Sequence, residues 1–237
     1  MTDLSGKWAL VTGASRGVGT QIARGLAELG CNLVLHSRKL EGTERLAEQL
    51  RSNVQVHSAS GELAVEAERI AEEALRLSRG IDVLYNNAAV QSKFFQDPWS
   101  VSGEELRRCF EVDTIAPILI CNVLVPPMLE RGFGRVINVT SGIKDQPNLT
   151  PYAVAKAALD KYVKDFAPSL QSTGVTMNLL DPGWLKTDMG GPNAPGEVES
   201  VLPGALIPAL LDDGLSGRWF NAQEYAGLTL EDAVRKG

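Results

Sequence analysis

Short apolar runs alternate with longer amphipathic stretches along most of this chain of 237 residues. The first pair shows the pattern, because residues 8–11 are apolar and the next stretch places Val18, Ile22 and Leu26 at helical spacing. Alternating strands and helices predict a parallel sheet that is covered by helices on both faces. Since crossovers between parallel strands are right-handed, we expect an α/β fold with a single doubly wound sheet.

The same periodicity predicts about seven strands, a sheet of the Rossmann-like type. Strands are expected at residues 8–11, 32–36, 54–57, 81–85, 135–140, 175–180 and 218–220. Helices are expected at residues 17–29, 43–51, 63–78, 104–129, 151–170 and 198–211. Pro126 and Pro127 are expected to bend or end the fourth helix. Because no repeat or low-complexity linker divides the chain, we expect residues 1–237 to form one domain.

The charge and the cysteine content restrict the partners that we expect. A net charge of −6 gives little long-range attraction to nucleic acid or to an anionic membrane. The two histidines and three cysteines lack metal-ligand spacing, so we expect no zinc site and three buried, apolar cysteines. The chain shows no signal core at its start and no run of about 18 apolar residues. We therefore expect a cytoplasmic protein without membrane contact.

A glycine-rich turn connects the first strand to the first helix. Glycines let a backbone approach a pyrophosphate closely, and the first helical turn offers free N–H groups and a partial positive charge. A strand–helix turn without a ligand could use the same glycines, but this position favours a dinucleotide site. The GxxxGxG spacing resembles that of the short-chain dehydrogenase/reductase family. The expected cofactor-binding residues of the turn are Gly13, Ser15, Arg16, Gly17, Val18 and Gly19.

The end of the second strand indicates which dinucleotide is bound. Chains that bind NAD often place an acid there, which accepts hydrogen bonds from the ribose 2′-hydroxyl. Here Ser37 and Arg38 take that place, and they suit a 2′-phosphate that Arg16 could also approach. The alternative is that Arg38 belongs only to a solvated loop. In the resembled family the same arrangement goes with NADP, so we expect NADPH to be preferred over NADH.

The resemblance implies further cofactor contacts after the later strands. They are Glu62, Leu63, Asn87, Ala88, Ala89, Pro182, Gly183, Leu185 and Thr187. Glu62 stands where the family usually has an aspartate beside the adenine, and Ala89 replaces the last glycine of the family's Asn-Asn-Ala-Gly motif. The turn at Pro182 and Gly183, followed by Thr187, resembles the family's clamp for the nicotinamide carboxamide.

Tyr152 and Lys156 are four residues apart at the start of a predicted helix, which places them on one face. Hydride transfer to a carbonyl leaves an alkoxide that a neighbouring acid must protonate. A nearby lysine and an oxidised nicotinamide would both favour the tyrosinate, so we expect Lys156 to lower the pKa of Tyr152. The resemblance assigns proton transfer to Tyr152 and ribose binding to Lys156. It assigns polarisation of the substrate carbonyl to Ser141.

Two departures from the family concern the reacting groups. Asp113 occupies the place of the family's catalytic asparagine, and an ionised aspartate accepts hydrogen bonds but donates none. It could hold a water near Lys156, or it could pair with Lys156 and slow turnover. Ser141 lies eleven residues before Tyr152, which is slightly closer than the usual spacing. We nevertheless expect Ser141, Tyr152, Lys156 and Asp113 to form the catalytic group.

The expected function is hydride transfer between NADP(H) and a carbonyl or alcohol substrate. Apolar residues on the substrate side, and a glycine- and proline-rich flap at residues 189–210, favour an apolar small molecule. These apolar residues are Phe94, Phe95, Trp99, Trp184, Met189, Leu202 and Leu206. The resemblance also implies a homo-oligomer, a dimer or tetramer, formed through the long helices. The alternatives are a dehydrogenase working in the oxidative direction and a nucleotide-binding sensor or scaffold with little turnover. A nucleic-acid module is disfavoured.

Overall fold

The computed structural model describes residues 1–237 and contains seven strands in one sheet, all of them parallel. The strands are β1 (Trp8–Val11), β2 (Asn32–Ser37), β3 (Val56–Ser60), β4 (Val83–Asn86), β5 (Gly134–Val139), β6 (Val175–Asp181) and β7 (Trp219–Asn221). Their spatial order is β3-β2-β1-β4-β5-β6-β7. The order reverses between β1 and β4, as in a doubly wound fold, and the predicted fold class is confirmed.

Eight helices connect or follow the strands. They are α1 (Gly17–Glu28), α2 (Glu41–Leu50), α3 (Leu63–Ser78), α4 (Gly103–Phe110), α5 (Ala116–Arg131), α6 (Thr150–Phe166), α7 (Ile207–Leu210) and α8 (Leu230–Lys236). A π-helical turn, Glu111–Ile115, joins α4 to α5 without a break in the helical path. The sequence pattern predicted one continuous helix here and gave no sign of the turn.

Apolar side chains on the two faces of the sheet form two separate cores. Successive residues of a strand point to opposite faces, so Val11 packs with α1 and α2 while Leu10 packs with α3 and α5. The first core also contains α7 and α8, and the second contains residues of α6. The cysteines are buried and unpaired, as predicted. Burial on both faces leaves the loops at the carboxyl ends of the strands as the place for a site.

Several predicted elements differ from those in the structure. The helix α5 continues through Pro126 and Pro127, because its packing against α3 and the sheet outweighs the missing N–H donors. The helix predicted at residues 198–211 is instead two 3₁₀ turns followed by the short α7. Strand β3 begins two residues later than expected, and α8 was not predicted.

The helical stretch Gly103–Arg131 is long and apolar enough to cross a membrane by length and composition alone. In the fold this stretch packs against α3 and α6, and Ile120 and Leu124 are fully buried. The core helices of soluble proteins meet the same criterion, so the finding is weak support for a membrane segment. The absence of membrane contact therefore stays a prediction.

Candidate nucleotide and catalytic site

The glycine turn after β1 is packed so tightly that side chains would not fit. Gly13 has φ +67°, and a Cβ there would lie 2.8 Å from Cα of Ala88. A Cβ on Gly19 would lie 2.4 Å from the Gly13 carbonyl oxygen and 2.5 Å from Nδ2 of Asn87. The turn and the loop after β4 therefore require small residues at these positions.

The N-terminus of α1 suits an anion. Arg16, the residue before the helix, has an extended backbone, and no side chain caps the first N–H groups. No acidic residue lies in the first turn, although acids are common there because they stabilise the helix dipole. Free N–H groups at a helix N-terminus bind phosphates well. These features fit a dinucleotide pyrophosphate.

A cleft of about 600 Å³ runs along the carboxyl ends of the strands. Seventeen of the predicted site residues line it, which are Gly13, Ser15, Arg16, Gly17, Val18, Gly19, Ser37, Arg38, Glu62, Leu63, Asn87, Ala88, Ala89, Tyr152, Lys156, Pro182 and Thr187. Four predicted residues are not among its lining residues. They are Ser141, Asp113, Gly183 and Leu185. The Leu185 side chain is buried in the first core, so only its backbone could reach a cofactor.

Several other residues of the cleft were not predicted from the sequence. They are His36, Val90, Gln91, Arg108, Val112, Val139 and Asp188, and Met189, which was predicted on the substrate side, lines the cleft as well. Most of them are next to a predicted residue, such as His36 before Ser37 and Asp188 after Thr187. Arg108 is different, because it precedes Asp113 by more than one helical turn. It belongs to none of the motifs found in the sequence. In the structure its guanidinium pairs with Glu105 at 2.7 Å.

The predicted phosphate site at the end of β2 is only partly assembled. Arg38 is exposed and lines the cleft. The hydroxyl of Ser37 donates to the carbonyl oxygen of Lys39 at 2.5 Å. Arg16 pairs with Asp188 at 2.7 Å, across the mouth of the cleft. The convergence of Arg16 and Arg38 on one phosphate stays a prediction, and it requires Arg16 to exchange Asp188 for the phosphate.

Helix α6 presents Tyr152 and Lys156 to the cleft. The Lys156 side chain is 2% exposed, and its ammonium group donates to the Val139 carbonyl oxygen at 2.8 Å. The ammonium nitrogen is 5.9 Å from the centre of the Tyr152 ring. The Ser141 hydroxyl is near enough to the Tyr152 phenol to lower its pKa, in spite of the short spacing in sequence, and it accepts a hydrogen bond from the Ile143 N–H at 3.2 Å.

The surroundings of Tyr152 raise its pKa. Burial raises the pKa of Tyr152 to about 12, against the lowering effect of the Ser141 hydrogen bond. The carboxylates of Asp113 and Asp181 raise it further. Burial also lowers the pKa of Lys156, and the expected lowering of the Tyr152 pKa by this lysine stays a prediction. Tyr152 is therefore protonated at neutral pH, as an acid for carbonyl reduction must be.

Asp113 lies inside the π-helical turn and is fully buried. Its Oδ1 accepts a hydrogen bond from the Val90 N–H at 2.8 Å, while its Oδ2 has no partner. The neighbouring Thr114 hydroxyl donates to the Ala155 carbonyl oxygen of α6 at 2.7 Å. Burial raises the pKa of Asp113 to about 6, although the charge of Lys156 opposes the shift. An ionisable group thus lies near Lys156 where the family has a neutral amide.

We predict that Asp113→Asn shifts the pH dependence of alcohol oxidation. Ionised Asp113 disfavours the tyrosinate, so removing its charge should lower the pKa of Tyr152. The pH of half-maximal kcat is expected to fall by about one unit. The matched control is Asp165→Asn, an exposed aspartate on α6, the helix of Tyr152, and it should leave the profile unchanged. An unchanged profile in Asp113→Asn would show that Asp113 does not act on Tyr152.

Two loops on the substrate side are joined to each other. The Phe95 N–H donates to the Asn148 carbonyl oxygen at 3.0 Å, and the Asn148 amide donates back to the Phe95 carbonyl oxygen at 2.5 Å. This pair links the loop after β4 to the loop that carries Ser141. Trp99 and Trp184 are exposed, and the Trp184 indole donates to the Gly190 carbonyl oxygen at 2.8 Å.

The segment predicted as a flap, residues 189–210, divides into two parts. Met189 lines the cleft, and residues up to about 200 lie largely at the surface. In the second part, Leu202 and Leu206 pack against Gly25 of α1 within the first core. The prediction that these two leucines face the substrate is therefore wrong. The mobility of the first part stays a prediction.

Comparison with known sequences agrees with this geometry. The sequence profile of the short chain dehydrogenase family matches residues 7–197. The dehydrogenase/reductase SDR family member 4 of Rattus norvegicus is 36% identical over 192 residues, which is 78% of this chain and 67% of that protein. Nodulation protein G of Rhizobium sp. (strain N33) is 32% identical over 212 residues, covering 88% of this chain and 84% of that protein.

Solved structures resemble this fold closely. A blue fluorescent protein from a metagenomic library, crystallised in complex with NADPH, superposes with a TM-score of 0.82 at 26% identity. The match covers 93% of this chain and 97% of that one. An NAD⁺-bound xylitol dehydrogenase gives the same TM-score at 21% identity, over 93% of this chain and 98% of that one, and supports the fold alone.

Proposed function

We propose that this chain, which belongs to the short-chain dehydrogenase/reductase family, is an NADP(H)-dependent reductase of ketones or aldehydes. The observation that carries the proposal is that Tyr152 and Lys156 line the same cleft as the glycine turn. A nicotinamide cofactor is supported by the bound NADPH of a similar structure. The preference for NADP(H) and the direction of the reaction are our own inferences.

The preference for NADP(H) rests on the end of β2. Arg38 is exposed at the cleft, and Ser37 stands where an NAD-binding chain often has a carboxylate. A guanidinium forms charge-assisted, bidentate hydrogen bonds with a phosphate. A 2′-phosphate would also compete with Asp188 for Arg16. The nucleotide would thus be held by the glycine turn, by Arg38 and by the small residues Ala88 and Ala89.

The chain's own residues supply the proton and orient the substrate. When bound, the cofactor provides the hydride for the carbonyl carbon. The Ser141 hydroxyl donates a hydrogen bond to the carbonyl oxygen, and the Tyr152 phenol gives that oxygen its proton. The Lys156 ammonium stabilises the tyrosinate that is left and holds the cofactor ribose.

The protonation state of Tyr152 is compatible with carbonyl reduction. Its phenol carries the proton at neutral pH that a general acid has to give to the substrate. Alcohol oxidation needs the tyrosinate, which must then be stabilised by Lys156 and by the positive charge of an oxidised nicotinamide. The exposed apolar residues Phe94 and Trp184, on the loops that follow β4 and β6, support an apolar carbonyl substrate.

We also propose a homo-oligomer and a cytoplasmic location. Apolar side chains remain exposed on the long helices, with Ile115 and Leu129 on one and Val154 and Phe166 on the other. Exposed apolar groups on a helix pair favour association with a second copy. The cytoplasmic location rests on the sequence alone.

A second candidate function is a nucleotide-binding sensor with little turnover. The partnerless Oδ2 of Asp113 beside the buried Lys156 favours it, because an ionised pair could hold Lys156 away from its catalytic role.

The test is the oxidation of NADPH and of NADH, followed at 340 nm with a panel of apolar and polar ketones and aldehydes. We expect turnover with NADPH and apolar carbonyls, and slower turnover with NADH. Tight NADPH binding without turnover for any carbonyl would favour the sensor. Failure to bind either nucleotide would contradict both functions.

A further inference from the structure

His36 occupies a central position among the strands that carry the cofactor loops. It lies near the carboxyl end of β2, which runs between β1 and β3. Its ring bonds to both neighbours, since Nδ1 accepts from the Gly13 N–H at 3.4 Å and Nε2 contacts the Gly61 carbonyl oxygen at 3.1 Å. The side chain is 2% exposed, yet it lines the cleft. The catalytic chemistry proposed above makes no use of it.

The two bonds fix the protonation state of the ring. A backbone N–H can only donate, so Nδ1 of His36 must be unprotonated to accept it. The Gly61 carbonyl can only accept, so Nε2 must carry the proton. Burial lowers the pKa of His36, which favours this neutral form. Only one tautomer satisfies both loops.

The two loops that His36 connects both contribute residues to the predicted site for the adenosine half of the nucleotide. Gly13 begins the glycine turn, and Gly61 directly precedes Glu62 and Leu63 in the cleft. Backbone bonds run beside the ring, from the Ala14 N–H to the His36 carbonyl oxygen at 2.9 Å and from the Gly61 N–H to the Ser37 carbonyl oxygen at 3.3 Å. The imidazole therefore connects the ends of three adjacent strands by hydrogen bonds from one side chain.

We propose that His36 is a positioning residue that holds the glycine turn and the loop after β3 at the separation that the adenosine half of the nucleotide requires. The inference rests on the proposed nucleotide-binding function. A preformed site binds more tightly, because the ligand does not have to order the loops. Protonation of His36 would place an N–H against the Gly13 N–H, break that bond and weaken nucleotide binding.

The charged groups around the ring do not remove this sensitivity to pH. Arg69, Glu66 and Glu73 reach it from α3, and their effects on the His36 pKa oppose each other. The glycine turn and the loop after β3 present backbone groups to the ring. Acid is therefore expected to reduce nucleotide affinity through His36 itself.

The test compares the Kd of NADPH and NAD⁺ for the full chain and three variants. His36→Ala removes both bonds and should raise each Kd about tenfold. His36→Gln can still donate to the Gly61 carbonyl and should stay within about threefold of wild type. His57→Ala is the matched control, because the only other histidine stacks on Trp8 outside the cleft.

The pH dependence distinguishes a residue that positions the two cofactor loops from one that only stabilises the fold. NAD⁺ is the probe, because it lacks the 2′-phosphate that titrates near neutral pH. Between pH 7.5 and pH 5, wild type and His57→Ala should lose more affinity than His36→Gln. With only two histidines in the chain, ¹⁵N NMR of the imidazoles should show the Nε2–H tautomer for His36.

Three results would overturn the inference while the proposed function stands. They are an unchanged Kd in His36→Ala, equal pH profiles in wild type and His36→Gln, and an Nδ1–H tautomer. If His36→Ala does not fold, the Gln variant and the tautomer still decide. A wild-type chain that binds neither nucleotide would overturn this inference together with the proposed function.

Discussion

Replacing Tyr152 with phenylalanine is expected to lower kcat for carbonyl reduction about 1,000-fold. The substitution removes the phenol proton and keeps the ring, which is partly exposed on α6. Without that proton, the alkoxide formed by hydride transfer has no acid within reach, since the Lys156 ammonium is bonded to the Val139 carbonyl oxygen. The Kd for NADPH should change less than about threefold, because the ring still fills its place.

Single-turnover reduction under saturating NADPH measures this loss directly. The matched control is Tyr162→Phe, because Tyr162 is on the same helix but packs against Phe166 instead of the cleft. The control should keep its turnover within about twofold. Undiminished reduction in Tyr152→Phe would mean that another group, or water, protonates the substrate.

Arg38→Asp is expected to reverse the cofactor preference. The substitution removes the guanidinium that we assign to the 2′-phosphate and places a carboxylate at the same end of β2. A charge-assisted hydrogen bond contributes about 1.5–3 kcal/mol, and repulsion adds to the loss, so the Kd for NADPH should rise at least ~100-fold. The Kd for NADH should change only a few-fold, and it could fall, because the carboxylate can accept from the ribose hydroxyl.

Calorimetry with both nucleotides checks the reversal. Arg45→Asp is the control. Arg45 is exposed on α2, and its substitution makes the same change in charge outside the cleft. The affinity gap between NADPH and NADH should also narrow as salt is added, because the contact is exposed. An equal loss of affinity for both cofactors would show that Arg38 does not bind the 2′-phosphate.

The sequence predicted the fold class because its strands are buried on both faces. Runs such as residues 8–11 are apolar throughout, which is typical of a parallel sheet between two helical layers. The pattern failed where few apolar residues mark an element. Helix α8 buries only Ala233, and the helix predicted at residues 198–211 contains Pro203 before α7 and Pro208 in its first turn. Local propensity predicted one helix there, and packing against α1 produced a series of turns.

The candidate site was partly visible because its motifs lie at strand ends. Glycines at Gly13 and Gly19 mark close approaches of backbone that the structure contains. The role of His36 was not visible, because its two partners are distant in sequence and meet only when β2 lies between β1 and β3. The spacing of Tyr152 and Lys156 placed both residues correctly at the cleft.

The Tyr152 pKa shows what sequence spacing cannot provide. A lysine one turn away suggested a lowered pKa, but the result depends on burial and on carboxylates from other elements. Asp113 comes from the π-helical turn and Asp181 from the end of β6. Neither is near Tyr152 in sequence, so only the three-dimensional arrangement shows that burial and these carboxylates raise the pKa.

The reciprocal hydrogen bonds between Phe95 and Asn148 have a consequence for engineering new substrate ranges. Each of the two segments offers its partner a donor and an acceptor, so a graft of only one from a relative would leave polar backbone groups unmatched. Chimeras should therefore exchange both segments together. A library that varies them independently would sample many combinations in which the wall of the substrate cleft is misaligned before any substrate contact is tested.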